Sequence, residues 1–443
     1  MMQPLLFSNA RIICPASSQN ATTGTTGWLR IDEGKISAIG NGSPPEDAST
    51  GAKLLDCGKA VLAPGLTDMR MQARVPGLSF MESLESLAAA AAAGGITSLC
   101  TLPATEPVLD KPANLAFLLS AAAGLGGTHG PLIRLHAIAA ATAGLEDTAM
   151  AELGLLADAG AIGFSNGAKP IANSLMMHRI LAYANMLEKP VFQHAEDPAL
   201  AAGGEMTLSE TSTRLGLVGI PDEAEEIMIG RDLALARMTG ARIHFGHVST
   251  ARGVVLIRAA KAEGIAVTCD TAPPYFSFND LAVSDYDTRF RLSPPLRSEA
   301  NRQAIIAAIA DGTIDAIASD HDPCDRDAKL LPFGMAACGA SGLETLLAAS
   351  LRLVHDGSIT LSHLLELLSC RPARLLGLEE PRLAIGHPAD LVLFDPELGW
   401  QVRGAAFASL SASTPFEGQP MQGRVLATWV AGRQVYGDQA DDG

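Results

Sequence analysis

The sequence predicts an α/β fold: a (β/α)8 barrel with a small β-domain contributed by both termini. Three observations predict it. Between about residues 61 and 380, short apolar runs alternate eight times with Ala-rich or amphipathic runs, the count of a barrel with insertions. Strand-like segments occupy both ends of the chain. A length of 443 residues suits a large barrel plus an appended module. The alternation alone would equally suit an open doubly wound sheet.

PLLFSNARIIC (4–14) and GWLRIDEGKISAIGN (27–41) read as short strands, with Glu33-Gly34 at the tip of a hairpin. A loop rich in Ser, Pro and Gly (40–53) follows. The first barrel strand lies in VLAPGLTDMRMQARVPG (61–77), an apolar run ending in alternating polar residues. Arg70 and Gln72 are two apart on it, so both point to one side. Further strands are predicted near 96–103, 132–139, 161–166, 190–197, 242–249, 266–273 and 315–323. Helices are predicted at 81–93, 174–188, 223–238, 250–263, 299–310 and 341–354, and one at 361–378 with Gly377 near its end. The segments 386–397 and 423–437 return to strand character, the second with a turn at Ala431-Gly432. The resulting division is 1–60 and 383–443 for the two parts of the β-domain and 61–382 for the barrel. The closing DQADDG reads as a frayed acidic tail.

Composition narrows the function. Hydrophobic residues make up 48%, with 43 Gly and only 5% aromatics, so a large core of small aliphatics is expected and disorder is not. A net charge of −16 argues against nucleic-acid or anionic-membrane surfaces, which need clustered Lys and Arg. The seven Cys are scattered, with no close pair, and read as buried free thiols of a reducing cytoplasm. MMQPLLFSNARII has neither the basic start nor the long apolar core of a signal peptide. The apolar runs are Ala-rich and Gly-broken, too weak for a membrane span.

The 61–77 stretch resembles the first strand of the amidohydrolase superfamily, in particular the dihydroorotases, whose pattern runs APGL-x-D-x-H-x-H-x-R-x-PG. Ala63 to Leu66, Asp68, Arg74, Pro76 and Gly77 match it, while Arg70 and Gln72 replace the two zinc-binding histidines. His194, in FQHAED, and His247, in FGHVST, match two further metal histidines of that family. Asp320, in ASDHDP, matches the carboxylate that there serves as metal ligand and general base, and His321 beside it is kept. Asp322 and Cys324 depart from the same motif, which reads ATDHAPH in the family. The family's FSDDGKP is FSNGAKP here, so neutral Asn166 and Gly167 stand where a bridging carboxylate would fall, and Lys169 lies beyond the strand end in the wrong register to replace it. MPNTNP is LPATEP, with Ala104 and Glu106; NPPLR is SPPLR, with Ser293; TPHH is APPY, with Pro274 and Tyr275. Arg74 stands where the family grips a substrate carboxylate. His244 has no ligand counterpart and reads as structural. The resemblance runs from about residue 5 to 437 and includes AIGHPADLVLFDP near the end.

The resemblance implies a barrel of amidohydrolase type with a composite β-sandwich from both termini. It also implies an eroded metal site. Zinc prefers three or four neutral His or ionised Asp donors, and His194, His247 and Asp320 are the three left. No cofactor is therefore expected, with zinc at that residual set as the alternative. Arg70 is expected to fill the space of the absent metal and pair with Asp320; otherwise it points into solvent. The function so implied is that of a non-catalytic, oligomeric dihydroorotase homologue supporting the assembly of aspartate carbamoyltransferase in de novo pyrimidine synthesis. The alternative is an active cyclic amidohydrolase, opening and closing the dihydroorotate ring on one metal. A third reading is a sensor that binds a carboxylated pyrimidine precursor through Arg74 without turnover.

Overall fold

The computed structural model describes residues 3–15, 26–127 and 130–437; the acidic tail at 438–443 lies outside them. Among the described residues, five strands precede the barrel: β1 (Leu5–Ile12), β2 (Thr26–Asp32), β3 (Lys35–Asn41), β4 (Lys53–Asp56) and β5 (Val61–Pro64). The barrel follows with β6 (Leu66–Met71), β7 (Ile96–Thr101), β8 (Arg134–Ala137) continued by β9 (Ala139–Ala140), β10 (Phe164–Ser165) and β11 (Val191–His194). After a two-strand excursion, β12 (Met206–Thr207) and β13 (Gly219–Ile220), it resumes with β14 (Ile243–Gly246), β15 (Val267–Thr271) and β16 (Ala316–Ile317). Three strands close the chain: β17 (Leu391–Gln401), β18 (Pro420–Val430) and β19 (Arg433–Tyr436).

The barrel strands pair in parallel in the order β6-β7-β8 and β9-β10-β11-β14-β15-β16. The cylinder closes where Met71 bridges to His321 and the Gln72 amide donates to the His321 carbonyl at 2.8 Å. This closure excludes the open doubly wound sheet. The surrounding helices start where the sequence provides caps: Ser83, Asn173, Thr250 and Ser298 each accept a backbone N–H of the first helical turn. Small residues let them pack closely; Ala88, Ala90 and Ala91 of Leu84–Ala93 are buried against the barrel.

The terminal sheet joins both ends of the chain in the order β19-β18-β17-β5-β1-β2-β3, with β4 on β1. Phe7 of β1 and Trp429 of β18 meet edge-on at 4.8 Å although two strands lie between theirs, so the sheet curls over its own core. The β2–β3 and β18–β19 turns touch: a Cβ on Gly432 would fall 2.7 Å from the Gly34 Cα. Glu33 (φ 47°) and Gly34 (φ 78°) form the expected two-residue hairpin tip.

Two elements differ from the sequence reading. The single strand expected within 61–77 is two strands. Val61–Pro64 pairs with β1 and β17 in the terminal sheet, and only from Leu66 does the chain enter the barrel. Gly65 marks the crossing, which passes so close to β7 that a Cβ there would lie 2.2 Å from the Thr97 hydroxyl. The helix expected over 361–378 is interrupted by a π-helical turn, Glu366–Cys370, between Leu361–Leu365 and Arg371–Leu375. Pro372 has no N–H to give the preceding turn, which forces the ladder to reset.

Trp429 is fully buried and its Nε1 has no hydrogen-bond partner. Trp429→Ala is expected to cost about 3–5 kcal/mol in urea unfolding. Trp429→Phe is expected to cost much less, because it keeps the ring contact and removes the unpaired N–H.

Candidate functional site at the barrel mouth

The side chains with chemistry sit where a barrel presents them, at the C-terminal ends of its strands. Arg70 and Gln72 emerge on one side of the β6 end, and both are buried. His194 is the last residue of β11, His247 follows β14, and Asp320 follows β16. His247 (φ 44°) and Asp320 (φ 49°) both lie in the left-handed region, a costly backbone for residues with a Cβ and one that concentrates at working sites.

Arg70 organises these groups. Its Nε lies 3.1 Å from Asp320 Oδ1 and 3.1 Å from His247 Nδ1, and its Nη2 lies 3.1 Å from His247 Nε2. The guanidinium therefore lies along the imidazole ring with its edge on the carboxylate. Gly246 leaves room for it: a Cβ there would fall 2.6 Å from Nη1. His247 Nε2 is 2.7 Å from His194 Nδ1, and His247 Nδ1 is 3.1 Å from Asp320 Oδ1. The three residues expected as a residual metal set are thus brought together, with an arginine among them.

Burial and the adjacent Arg70 charge push His247 down to about 4, so its ring is neutral at neutral pH. Burial alone would raise the Asp320 carboxyl, but its contacts with His247 and Arg70 outweigh that and hold it well below the usual carboxylate range. With His247 neutral, the cation that keeps Asp320 ionised is Arg70. One strand layer deeper, Asp68 accepts from the Ser319 amide at 2.8 Å and hydroxyl at 2.5 Å, and burial pushes it up to about 6.

These residues do not fit a metal ion. Among the described residues, no group of three His, Cys, Asp or Glu side chains is disposed to hold one. His194 and His247 are engaged with each other, and Asp320 already has a cation. A metal would face the fixed guanidinium charge at short range.

The other departures from the family pattern take their own places. Gln72 Oε1 and Asn166 Nδ2 are buried without hydrogen-bond partners, while Asn166 Oδ1 accepts from the Thr142 amide and hydroxyl. A Cβ on Gly167 (φ 71°) would meet Ala104 Cβ at 3.4 Å and Gln72 Nε2 at 3.6 Å. Ser293 Oγ reaches His194 Nε2 at 3.5 Å. Tyr275 packs its ring edge-on to His247 at 6.2 Å and donates its hydroxyl to the Pro294 carbonyl. Lys169 points outward to Glu146 at 3.3 Å. His244 is structural, held between Thr268 Oγ1 at 2.8 Å and Asp270 Oδ2 at 2.9 Å.

Arg74 sits at the mouth, and its guanidinium is paired with Asp322 and the Pro323 carbonyl. The position where the resemblance implies a grip on a substrate carboxylate therefore already holds a carboxylate of the same chain. Burial raises the Asp322 carboxyl against the pull of Arg74. The cavity left between Arg70, Gln72, His247, Ser293 and Asp322 is about 60 Å³, room for a few water molecules. The Asp322 pairing and the hold of Asp270 Oδ1 on the His247 amide at 2.6 Å were not anticipated. Asp322 was visible as a charge at a position where the family motif carries Ala. Asp270 carried no local signal.

The amidohydrolase family model matches residues 61–435. A protein of Pelobacter propionicus named dihydroorotase is 42% identical over 432 residues, 98% of this chain and 99% of that protein. One of Geobacter sp. (strain M21) with the same name is 40% identical over 433 residues, again 98% and 99%. Among solved structures, L-hydantoinase (dihydropyrimidinase) from Arthrobacter aurescens superposes with a TM-score of 0.84 at 25% identity, covering 98% of this chain and 96% of that one. Dihydropyrimidinase from Brevibacillus agri gives 0.81 at 23% identity over 98% and 95%, which supports the same fold.

Two outcomes follow from the charge balance. Arg70→Met strands Asp320, whose side chain is 21% exposed, and is expected to cost about 2–4 kcal/mol in denaturant unfolding, with Arg70→Met/Asp320→Asn recovering most of the loss. His247 binds its proton less readily folded than unfolded, so its contribution to stability is complete above about pH 6.5 and declines as pH falls towards 4. That decline is worth on the order of 3 kcal/mol. It is read as the difference between wild type and His247→Asn across that window, since Asp68 and Asp232, both raised to about 6, titrate there with the opposite sign.

Proposed function

The chain belongs to the amidohydrolase family, and from that premise we propose that it is a dihydroorotase-like subunit of pyrimidine biosynthesis that supports assembly of aspartate carbamoyltransferase rather than catalysis. The observation that carries this reading is the Arg70 guanidinium seated between His247 and Asp320. Hydrolysis of a cyclic amide needs an activated water and a free general base. Here the carboxylate in the base position is ion-paired, and the imidazole beside it is closed off by Arg70 and His194. The Arg74–Asp322 pair adds support, because a carboxylated substrate would have to displace Asp322 before it could be oriented. An assembly subunit needs its core and its surface, and both are independent of the mouth. In this reading the protein is cytoplasmic and self-associates, and its partner is the carbamoyltransferase.

A second reading is an active dihydroorotase, hydrolysing dihydroorotate to N-carbamoyl-aspartate. It is favoured by the name carried by relatives 42% and 40% identical over nearly the whole chain. The donor set does not fit a metal, so no step of that reaction is assigned to these residues.

Elemental analysis, a dihydroorotate hydrolysis assay and co-purification with aspartate carbamoyltransferase from the same cell separate the two. The assembly reading expects turnover at the uncatalysed background, no stoichiometric zinc and a complex stable to gel filtration. Turnover well above background, abolished by Asp320→Asn, would establish the enzyme. Absence of both turnover and complex would remove the partner.

A further inference from the structure

A second cavity, larger than the one at the barrel mouth, lies outside it. It is a cleft of about 360 Å³ between the helices Leu84–Ala93 and Leu346–His355 and the β17–β18 face of the terminal sheet. Trp400, Phe407 and Tyr436 line it, each half-buried, with Arg403, Arg424 and Glu344. The Trp400 ring is fixed by its Nε1–H donating to the Gly423 carbonyl at 2.9 Å. Arg403 and Arg424 are exposed, and neither has an ion-pair or hydrogen-bond partner among the described residues. Asp395, which faces Arg424 across the strand ladder, is engaged instead by the Glu397 amide at 2.9 Å. Glu344 accepts from the Ser409 amide at 3.1 Å.

Unpaired guanidinium groups beside aromatic rings are a specific combination. The fork of an arginine matches the oxygens of a phosphate. A half-exposed, immobilised indole offers a stacking face to a flat heterocycle. A carboxylate at the wall accepts from a ring or sugar donor. The chain carries 48 acidic against 32 basic residues, so two cations without partners in one cleft stand out from the general charge. We propose that this cleft binds a nucleoside monophosphate, the phosphate held by Arg403 and Arg424 and the base stacked on Trp400. The cleft shares no lining residue with the barrel mouth, so this inference stands or falls independently of the assembly reading.

Trp400 reports on it directly, because the other two tryptophans, Trp28 and Trp429, are buried. AMP, GMP, CMP and UMP are titrated into the full-length protein by tryptophan fluorescence and calorimetry, with the corresponding nucleosides and inorganic phosphate as separate arms. At least one nucleotide is expected to quench Trp400 saturably. Arg403→Ala and Arg424→Ala, both at exposed positions, are each expected to weaken it by about tenfold or more. The matching nucleoside is expected to bind more weakly by a similar factor. Trp400→Phe removes the optical signal while calorimetry still detects binding, and Arg70→Met binds as wild type does. No saturable binding of any of the four would overturn the proposal. So would affinity that survives both arginine substitutions, or inorganic phosphate binding as well as the nucleotide.

Discussion

A permanent positive charge inside the mouth of a barrel sets the terms for everything around it. A guanidinium is a permanent cation, and Arg70, at 4% exposure, is shielded from most of the solvent. Such a charge is tolerated only if an anion meets it and neighbouring groups decline to add to it. Asp320 supplies the anion, at 3.1 Å. His247 declines, its proton affinity lowered by burial and by the arginine itself. Gly246 leaves the volume the guanidinium needs. These accommodations come from two other strand ends, those of β14 and β16, so the guanidinium is specified by the closed barrel and not by any local segment.

The position of the pair on the cylinder matters as much as its charge. Arg70 leaves β6, and Asp320 follows β16, the first and last strands of the barrel. They meet at the seam, where the backbone contributes only the Met71–His321 bridge and the Gln72–His321 hydrogen bond. Arg74 and Asp322, further out along the same two segments, form a second ion pair over the same seam. Two short stretches therefore face each other with alternating complementary charge, as paired residues do along a sheet. The closure is fastened by side chains where the ladder is thin, and the same fastening fills the space a substrate would need.

Much of this arrangement was legible in the sequence because it follows from strand parity. A run of apolar residues, then polar residues two apart, locates the mouth and sends Arg70 and Gln72 to one side. Once eight strands are counted and Asp320 ends the last one, closure brings it beside the first, so the Arg70–Asp320 contact could be anticipated. What was not legible depends on through-space proximity without periodicity. VLAP and LTDMRM read as one strand because no break in the pattern separates them; their partners do, VLAP pairing with β1 and β17 and LTDMRM with β7. The π turn at Glu366–Cys370 was foreshadowed by Pro372, but a proline in a helical pattern does not say which turn absorbs the missing bond. The capture of Arg74 by Asp322 needed the fold of the segment after β16, where a left-handed Asp320 turns the chain back on itself.

The mouth and the cleft differ in how their charges are spent, and that difference separates a closed site from an open one. In the mouth each cation has met an anion of its own chain, and the remaining space is about 60 Å³. In the cleft two arginines have met none, and the space is six times larger, at about 360 Å³. The two regions are nevertheless joined by continuous polar contact. The Ser409 amide donates to Glu344 on the cleft wall, and its hydroxyl donates to Glu82. Glu82 lies 3.4 Å from His321, whose neighbour in the chain is Asp320. An anion entering the cleft would therefore settle against a segment already tied to the barrel seam. Its binding energy would come from charges the fold has left unpaired, whereas any anion entering the mouth would first have to break an ion pair that the fold has made.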